Sequence, residues 1–442
     1  MSNKIFTQPL SFRVVIKFTL PTIIMLVIQQ AFSMIDGIFV SNLIGTEALT
    51  ALNLITPYFS IVYAISALFS SGGSAVVMIK MGEGKKKEAR EDFTVLVLLN
   101  ILVGIILTVF GFIFFRDLTS AFGSTVIVET YCNSYLFTYV IFIIPALLFS
   151  NLLMYVIASG GSKMAMYASV FGGVFNICFD YVFIKVFNFG MAGAALASGL
   201  GLFLPCIILI IYFFIKDKML YFVKPVIRLR VIAKAITNGL SEFSTSLMNG
   251  LVMFLFNYQM LKYAGENGVA ASTFIFYIFG LMSAVYIGYM MGASPLFSYF
   301  YGSEDHDKLK KLKSICLTLI TYTGILATLI SIDGSKMLTA IFISQDNPAF
   351  SLAVHGNMLF SIALFITGFN TFASSMFTAF GNGIISAVLA ISRTFVFLSI
   401  AIILLPQILG LNGLWLSVPV AEGMALVLAI YFIRKYQERY GY

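Results

Sequence analysis

Twelve apolar runs divide this chain, at roughly 14–43, 49–79, 93–115, 127–158, 165–187, 190–215, 236–262, 268–300, 314–332, 347–379, 384–406 and 409–433. A helix that crosses a bilayer needs about 20 such residues, and most of the runs exceed that. Strands of a membrane barrel would alternate polar and apolar residues over about ten positions, and these runs do not alternate. Of the 442 residues 60% are hydrophobic and only 10% charged, too few charges to cover a water-soluble surface. A cytosolic enzyme, a nucleic-acid-binding module and a disordered chain are excluded together. The expected fold class is an all-α polytopic membrane protein with 12 transmembrane helices.

The basic residues orient it. Lys4, Arg13, Lys17, the run Lys80 to Arg90, Lys163, the stretch Lys216 to Lys234, the run Lys308 to Lys313, Arg434, Lys435 and Arg439 all fall on one side of such a topology. They are 22 of the 27 Lys and Arg. The other side holds Arg116, Lys185, Lys262 and Lys336, and Arg393 lies inside a run. By the positive-inside rule both termini are expected in the cytoplasm, consistent with an even number of crossings. The net charge of +8 is read as this topological excess, not as a nucleic-acid footprint. Residues 1–17 lack a short apolar core followed by a small-residue cleavage site, so the first apolar segment is expected to stay as an anchor. The four cysteines, Cys132, Cys178, Cys206 and Cys316, lie in apolar stretches without CxxC spacing and read as buried small residues.

Glycines reveal a repeat. Gly160 pairs with Gly381 at an offset of 221, and Gly45 with Gly265, Gly82 with Gly302, Gly190 with Gly410 and Gly193 with Gly413 at 220, half the chain length. The chain therefore reads as an N-terminal six-helix lobe (1–215), a basic cytoplasmic linker (216–235) and a C-terminal six-helix lobe (236–442). Six crossings per half keep the copies parallel, related by a pseudo-two-fold along the membrane normal. That arrangement suits alternating access around a central cavity.

Ionisable residues inside the bilayer cost about 2.5–3.5 kcal/mol each on insertion scales, so the few present need a reason. They are Asp36, Asp180, Glu242, Glu422, Arg393 and His355. Gln29, Ser33 and Asp36 share one helical face, as do Asn176 and Asp180. Such acids can exchange a proton near neutral pH, can hold Na⁺ with neighbouring oxygens, or can simply hydrogen-bond a neighbouring helix. Glu242 sits near a helix start, where a carboxylate complements the macrodipole. Glu422 and Arg393 fit a structural ion pair as well as a pathway, and His355 reads as interfacial. Pro21 removes a backbone donor from the first helix and is expected to kink it or make it bendable. With two histidines in all and no GxxxxGK[ST], neither an HExxH metal enzyme nor an ATPase fits.

The series Leu20-Pro21, Gln29 and Ile35-Asp36-Gly37-Ile38-Phe39-Val40 resembles the first helix of multidrug and toxic compound extrusion (MATE) transporters, nearest the bacterial multidrug-pump branch. Gly82 with its basic loop, Ala158-Ser-Gly-Gly161, and Asn176…Asp180 followed by Gly190, Gly193-Ala-Ala and Ser198 extend the likeness along the whole chain. The resemblance implies a secondary antiporter, not an enzyme, in the bacterial plasma membrane. It would export cationic or amphipathic small molecules in exchange for inward H⁺, or alternatively Na⁺. It implies an ion site at Asp36, Asn176, Asp180 and Ser198, with Na⁺ there the only metal, and a first-helix bend at Pro21. Gln29, Glu242 and Asn370 are weaker candidates for the substrate cavity. No cofactor, no nucleic acid and a monomer are expected. The alternative is a lipid-linked oligosaccharide flippase of the same broad superfamily. Flippases tend to carry extra helices and more cavity cations than the single Arg393.

Overall fold

In lipid every backbone polar group must be satisfied within its own segment, and a run of 20 or more apolar residues does this most simply as a helix. The computed structural model describes residues 4–121 and 126–442, and among these there is no strand. The first lobe contains α1 (Phe12–Leu43), α2 (Thr46–Gly82), α3 (Lys86–Ala121), α4 (Val128–Ala158), α5 (Ser162–Val186) and α6 (Gly190–Phe214). The stretch Leu229–Gly302 is helical on both sides of Gly265 (φ 62°, ψ −157°), which separates α7 (229–264) from α8 (266–302). Then come α9 (His306–Asp333), α10 (Ala349–Phe360 continued by Ile362–Ala379), α11 (Gly383–Leu409) and α12 (Ser417–Lys435). These are the twelve crossings, one for each apolar run.

The repeat glycines sit where the chain must turn. Gly190 and Gly410 begin the sixth crossing of one lobe and precede that of the other at φ 56° and 58°, a region that side chains with a Cβ rarely enter. Between the lobes the chain is irregular from Ile215 to Arg228, so residues 229–235 already belong to α7. This connection lies on the start of α3. Arg228 bridges Glu91 and, at 2.8 Å, Asp92, while Arg90 donates to the Met219 carbonyl (3.1 Å) and covers the Tyr221 ring.

Helix association in lipid depends on close packing and small residues, not on removing apolar surface from water. The seam between the lobes shows this. A Cβ on Gly82 would strike the Tyr299 carbonyl, and a Cβ on Gly302 would strike the Ile79 carbonyl. Both pairs of partners stand 220 positions apart, so the pseudo-two-fold runs between Gly82 and Gly302. The α2–α7 contact of Gly72 on Gly239 repeats as the α1–α8 contact of Gly292 on Thr19, again 220 apart.

All these seam contacts lie toward the membrane face that carries both termini. On that side one apolar core draws on both lobes, including Leu96, Leu152 and Phe213 from the first and Phe297, Phe372 and Phe377 from the second. Toward the other face each lobe has a separate core, around Val40, Tyr135 and Ile184 in one and Phe256, Phe360 and Trp415 in the other. The lobes are joined at one end and independent at the other.

Candidate functional site

The site is built where α1 and α5 run side by side in the first lobe. Helical spacing puts Ser169, Gly172, Gly173, Asn176 and Asp180 toward one side of α5. Contacts along α1 follow in the same order. Gln29 Nε2 donates to Ser169 Oγ at 2.9 Å. One turn on, the Phe32 ring lies on Gly173, where even a Cβ would overlap it. Asp36 then arrives level with Asp180, and the two carboxyl groups lie within hydrogen-bonding reach of one another. Asp180 is fully buried. Among the described residues no N–H or O–H reaches either of its oxygens, or Oδ1 of Asp36, and no Lys, Arg or His pairs with them. Two adjacent buried carboxylates repel unless something positive stands between them, and a shared proton or a small cation fills that gap.

α6 completes the site through another glycine. A Cβ on Gly201 would come to 2.8 Å from Asn176 Cβ, so its absence lets α6 approach α5. Ser198 is thereby brought to Asn176 (Nδ2 to Oγ, 3.5 Å), and the Tyr135 hydroxyl of α4 reaches Ser198. Immediately after Asp180, α5 loosens into a π-helical turn over Tyr181–Val186, an element that recurs at functional sites. Beside Asp36 lies a cavity of about 490 Å³. Gln29, Asp36, Asn53, Tyr63, Asn176 and Ser198 line it, with Tyr277 of α8 contributing from the second lobe.

The structure thus brings together Gln29, Asp36, Asn176, Asp180 and Ser198. It does not bring Glu242, Asn370 or Pro21 to them. Glu242 accepts from Ser241 Oγ (2.5 Å) and meets Ser71 of α2 at the seam. Asn370 Nδ2 donates to Glu422 Oε2 (2.6 Å) in the second lobe, where Arg393 Nε holds Glu422 Oε1 at 2.8 Å. Pro21 is buried beside the seam, and α1 continues through it as a helix. His355 meets Asn412 at 2.8 Å on the exterior. Sequence reasoning did not single out Tyr63, Tyr135 and Tyr139. The hydroxyls of Tyr63 and Tyr139 meet at 3.2 Å, and the four-residue spacing of Tyr135 and Tyr139 was the available signal.

Two six-helix lobes related by a pseudo-two-fold, joined at one membrane face and holding a carboxylate-bearing cavity in one of them, define a duplicated membrane transporter. The MatE family model matches residues 21–182 and again 241–403, the second copy beginning 220 positions after the first. The chain belongs to the MatE family. It is 22% identical to the multidrug export protein MepA of Staphylococcus saprophyticus over 97% of this chain and 95% of that one. Its fold matches that of a MATE protein in complex with MaL6 (TM-score 0.94, 21% identity, 99% of each chain). It also matches the outward-facing conformation of a multidrug resistance MATE family transporter of the MOP superfamily (TM-score 0.91, 22% identity, 96% of each chain).

Proposed function

We propose that this protein exports cationic or amphipathic small molecules across the bacterial plasma membrane in exchange for inward protons. The observation that carries the reading is the Asp36–Asp180 pair: two carboxyl groups within hydrogen-bonding reach of one another, paired with no described basic residue, with Asp36 lining a cavity. A proton bound between them neutralises the repulsion, and its loss restores it. Asn176 and Ser198 hold the α5–α6 side of the site, and Na⁺ is the competing occupant of the same oxygens.

The seam supports alternating access. The lobes, 1–215 and 229–442, rock about their contacts while the connection 216–228 stays tethered to α3. The excess of basic residues supports both termini in the cytoplasm, and seam contacts concentrated on the terminus-bearing side then fit a cavity facing outward. Proton binding by Asp36 and Asp180 then reshapes α1, with Pro21 as its weak point. The similarity to a MepA multidrug export protein supports the substrate class.

The test is proton release. Purified protein in a weakly buffered detergent solution is titrated with tetraphenylphosphonium while pH is recorded. Release of about one proton per bound cation in wild type, abolished in Asp180→Asn, is expected. Cation binding without proton release, restored only by Na⁺ exchange, would overturn proton coupling.

A further inference from the structure

The second lobe contains its own cavity, of about 300 Å³, and its chemistry is the reverse of the first. Its walls are apolar and aromatic: Met253, Phe256, Phe276, Phe279 and Phe360. The rings pack edge to face, with centroids 5.0 Å apart for Phe256–Phe276 and 5.1 Å for Phe279–Phe360. At one side stand Arg393 and Glu422. Both Glu422 oxygens are occupied, Oε1 by Arg393 Nε and Oε2 by Asn370. A guanidinium has five N–H donors. Arg393 spends one on Glu422 and one on Thr371 Oγ1 (3.3 Å), and among the described residues the others find no acceptor. Arg393 therefore presents open donors at the cavity, whose remaining polar lining is Asn249 and Thr394.

We infer that this cavity binds a small amphipathic carboxylate, its apolar ring system among the phenylalanines and its carboxylate on the free edge of Arg393. Charged acceptors form the stronger hydrogen bonds to guanidinium, and a flat apolar body gains ring contacts with the wall. The volume lies at the lower end for ligand sites and suits one or two fused rings. Glu422 orients Arg393 and is not itself a contact to the guest. The site is independent of the export reading, because it needs neither Asp36 nor Asp180.

The test is isothermal titration calorimetry on the full protein in phosphatidylcholine nanodiscs. The probes are 1-naphthoate and its cationic counterpart 1-naphthylmethylammonium. Wild type is expected to bind naphthoate about tenfold more tightly than the cation. The charge-neutral double variant R393Q/E422Q is expected to lose that preference. Arg393→Lys keeps the ion pair and the fold but lacks the fork, and is expected to weaken naphthoate several-fold. Asp36→Asn is expected to leave naphthoate binding unchanged. Equal affinity for the two probes in wild type, or an undiminished preference in Arg393→Lys, would overturn the assignment. So would loss of naphthoate binding in Asp36→Asn. Oleate doped into the disc lipids distinguishes the natural source. Displacement of naphthoate identifies a bilayer carboxylate, and unchanged affinity identifies an aqueous one.

Discussion

If the two lobes part at their joined end during transport, Gly302→Ala should favour the parted state. A methyl there would sit 3.0 Å from Ile79 Cα and 2.8 Å from its carbonyl carbon, and closer still to the oxygen. Ordinary contact begins near 3.4 Å. All three atoms are backbone, so no rotamer change relieves the overlap, and α2 and α8 must separate by about half an ångström or more. Overpacking of this kind costs about 1–3 kcal/mol. If only the joined state bears it, the equilibrium between joined and parted states shifts about 5- to 150-fold. Spin labels at exposed Lys87 and Lys310, on α3 and α9, read the separation by double electron–electron resonance. A longer-distance component is expected in Gly302→Ala and, by the pseudo-two-fold, in Gly82→Ala. It is not expected in Gly250→Ala, where nothing lies within 4 Å of the added atom. A folded Gly302→Ala protein with the wild-type distance distribution would refute the claim that this seam governs the motion.

Three further outcomes follow from the same packing. Gly173→Ala pushes Phe32 off α5 and separates Asp36 from Asp180. Proton release on tetraphenylphosphonium binding should fall sharply, while phenylalanine 32 truncated in Phe32→Ala/Gly173→Ala restores part of it. Asp92→Ala takes one of two carboxylate partners from each of Lys80 and Arg228, Asp92 itself being 1% exposed, and leaves them Glu88 and Glu91. Thermal unfolding in detergent should report a loss of about 1.5–3 kcal/mol, the range for lost hydrogen bonds to a charged group, because each cation keeps a second carboxylate. Tyr135→Phe removes one hydroxyl contact to Ser198. Such a bond contributes about 1 kcal/mol, so the proton concentration for half-maximal drug efflux should move about fivefold, measured in vesicles at fixed drug.

Much of this architecture was legible from residue order. Apolar run length fixed the number of crossings because lipid leaves the backbone no alternative. The glycine offset exposed the duplication because helix ends and seam contacts admit only small residues, and Gly82 with Gly302 marks the axis itself. Asp36, Asn176 and Asp180 were visible because a polar face is costly inside a membrane. Tyr63, Tyr135 and Tyr139 were not, since in a chain with 22 Tyr and 45 Phe nothing in the sequence sorts cavity rings from lipid-facing ones. Glu242 and Asn370 looked like cavity residues by polarity alone. Their cross-helix partners, Ser71 and Glu422, depend on how helices distant in sequence meet.

Proton coupling through the Asp36–Asp180 pair is measured most directly in proteoliposomes. Vesicles reconstituted with wild type or Asp36→Asn protein are given a pH gradient alone, in Na⁺-free buffer, and movement of a fluorescent organic cation is followed. Robust transport by wild type, with none by folded Asp36→Asn protein, is the predicted result. Equal transport by both, or wild-type transport that starts only when Na⁺ is added, would contradict it.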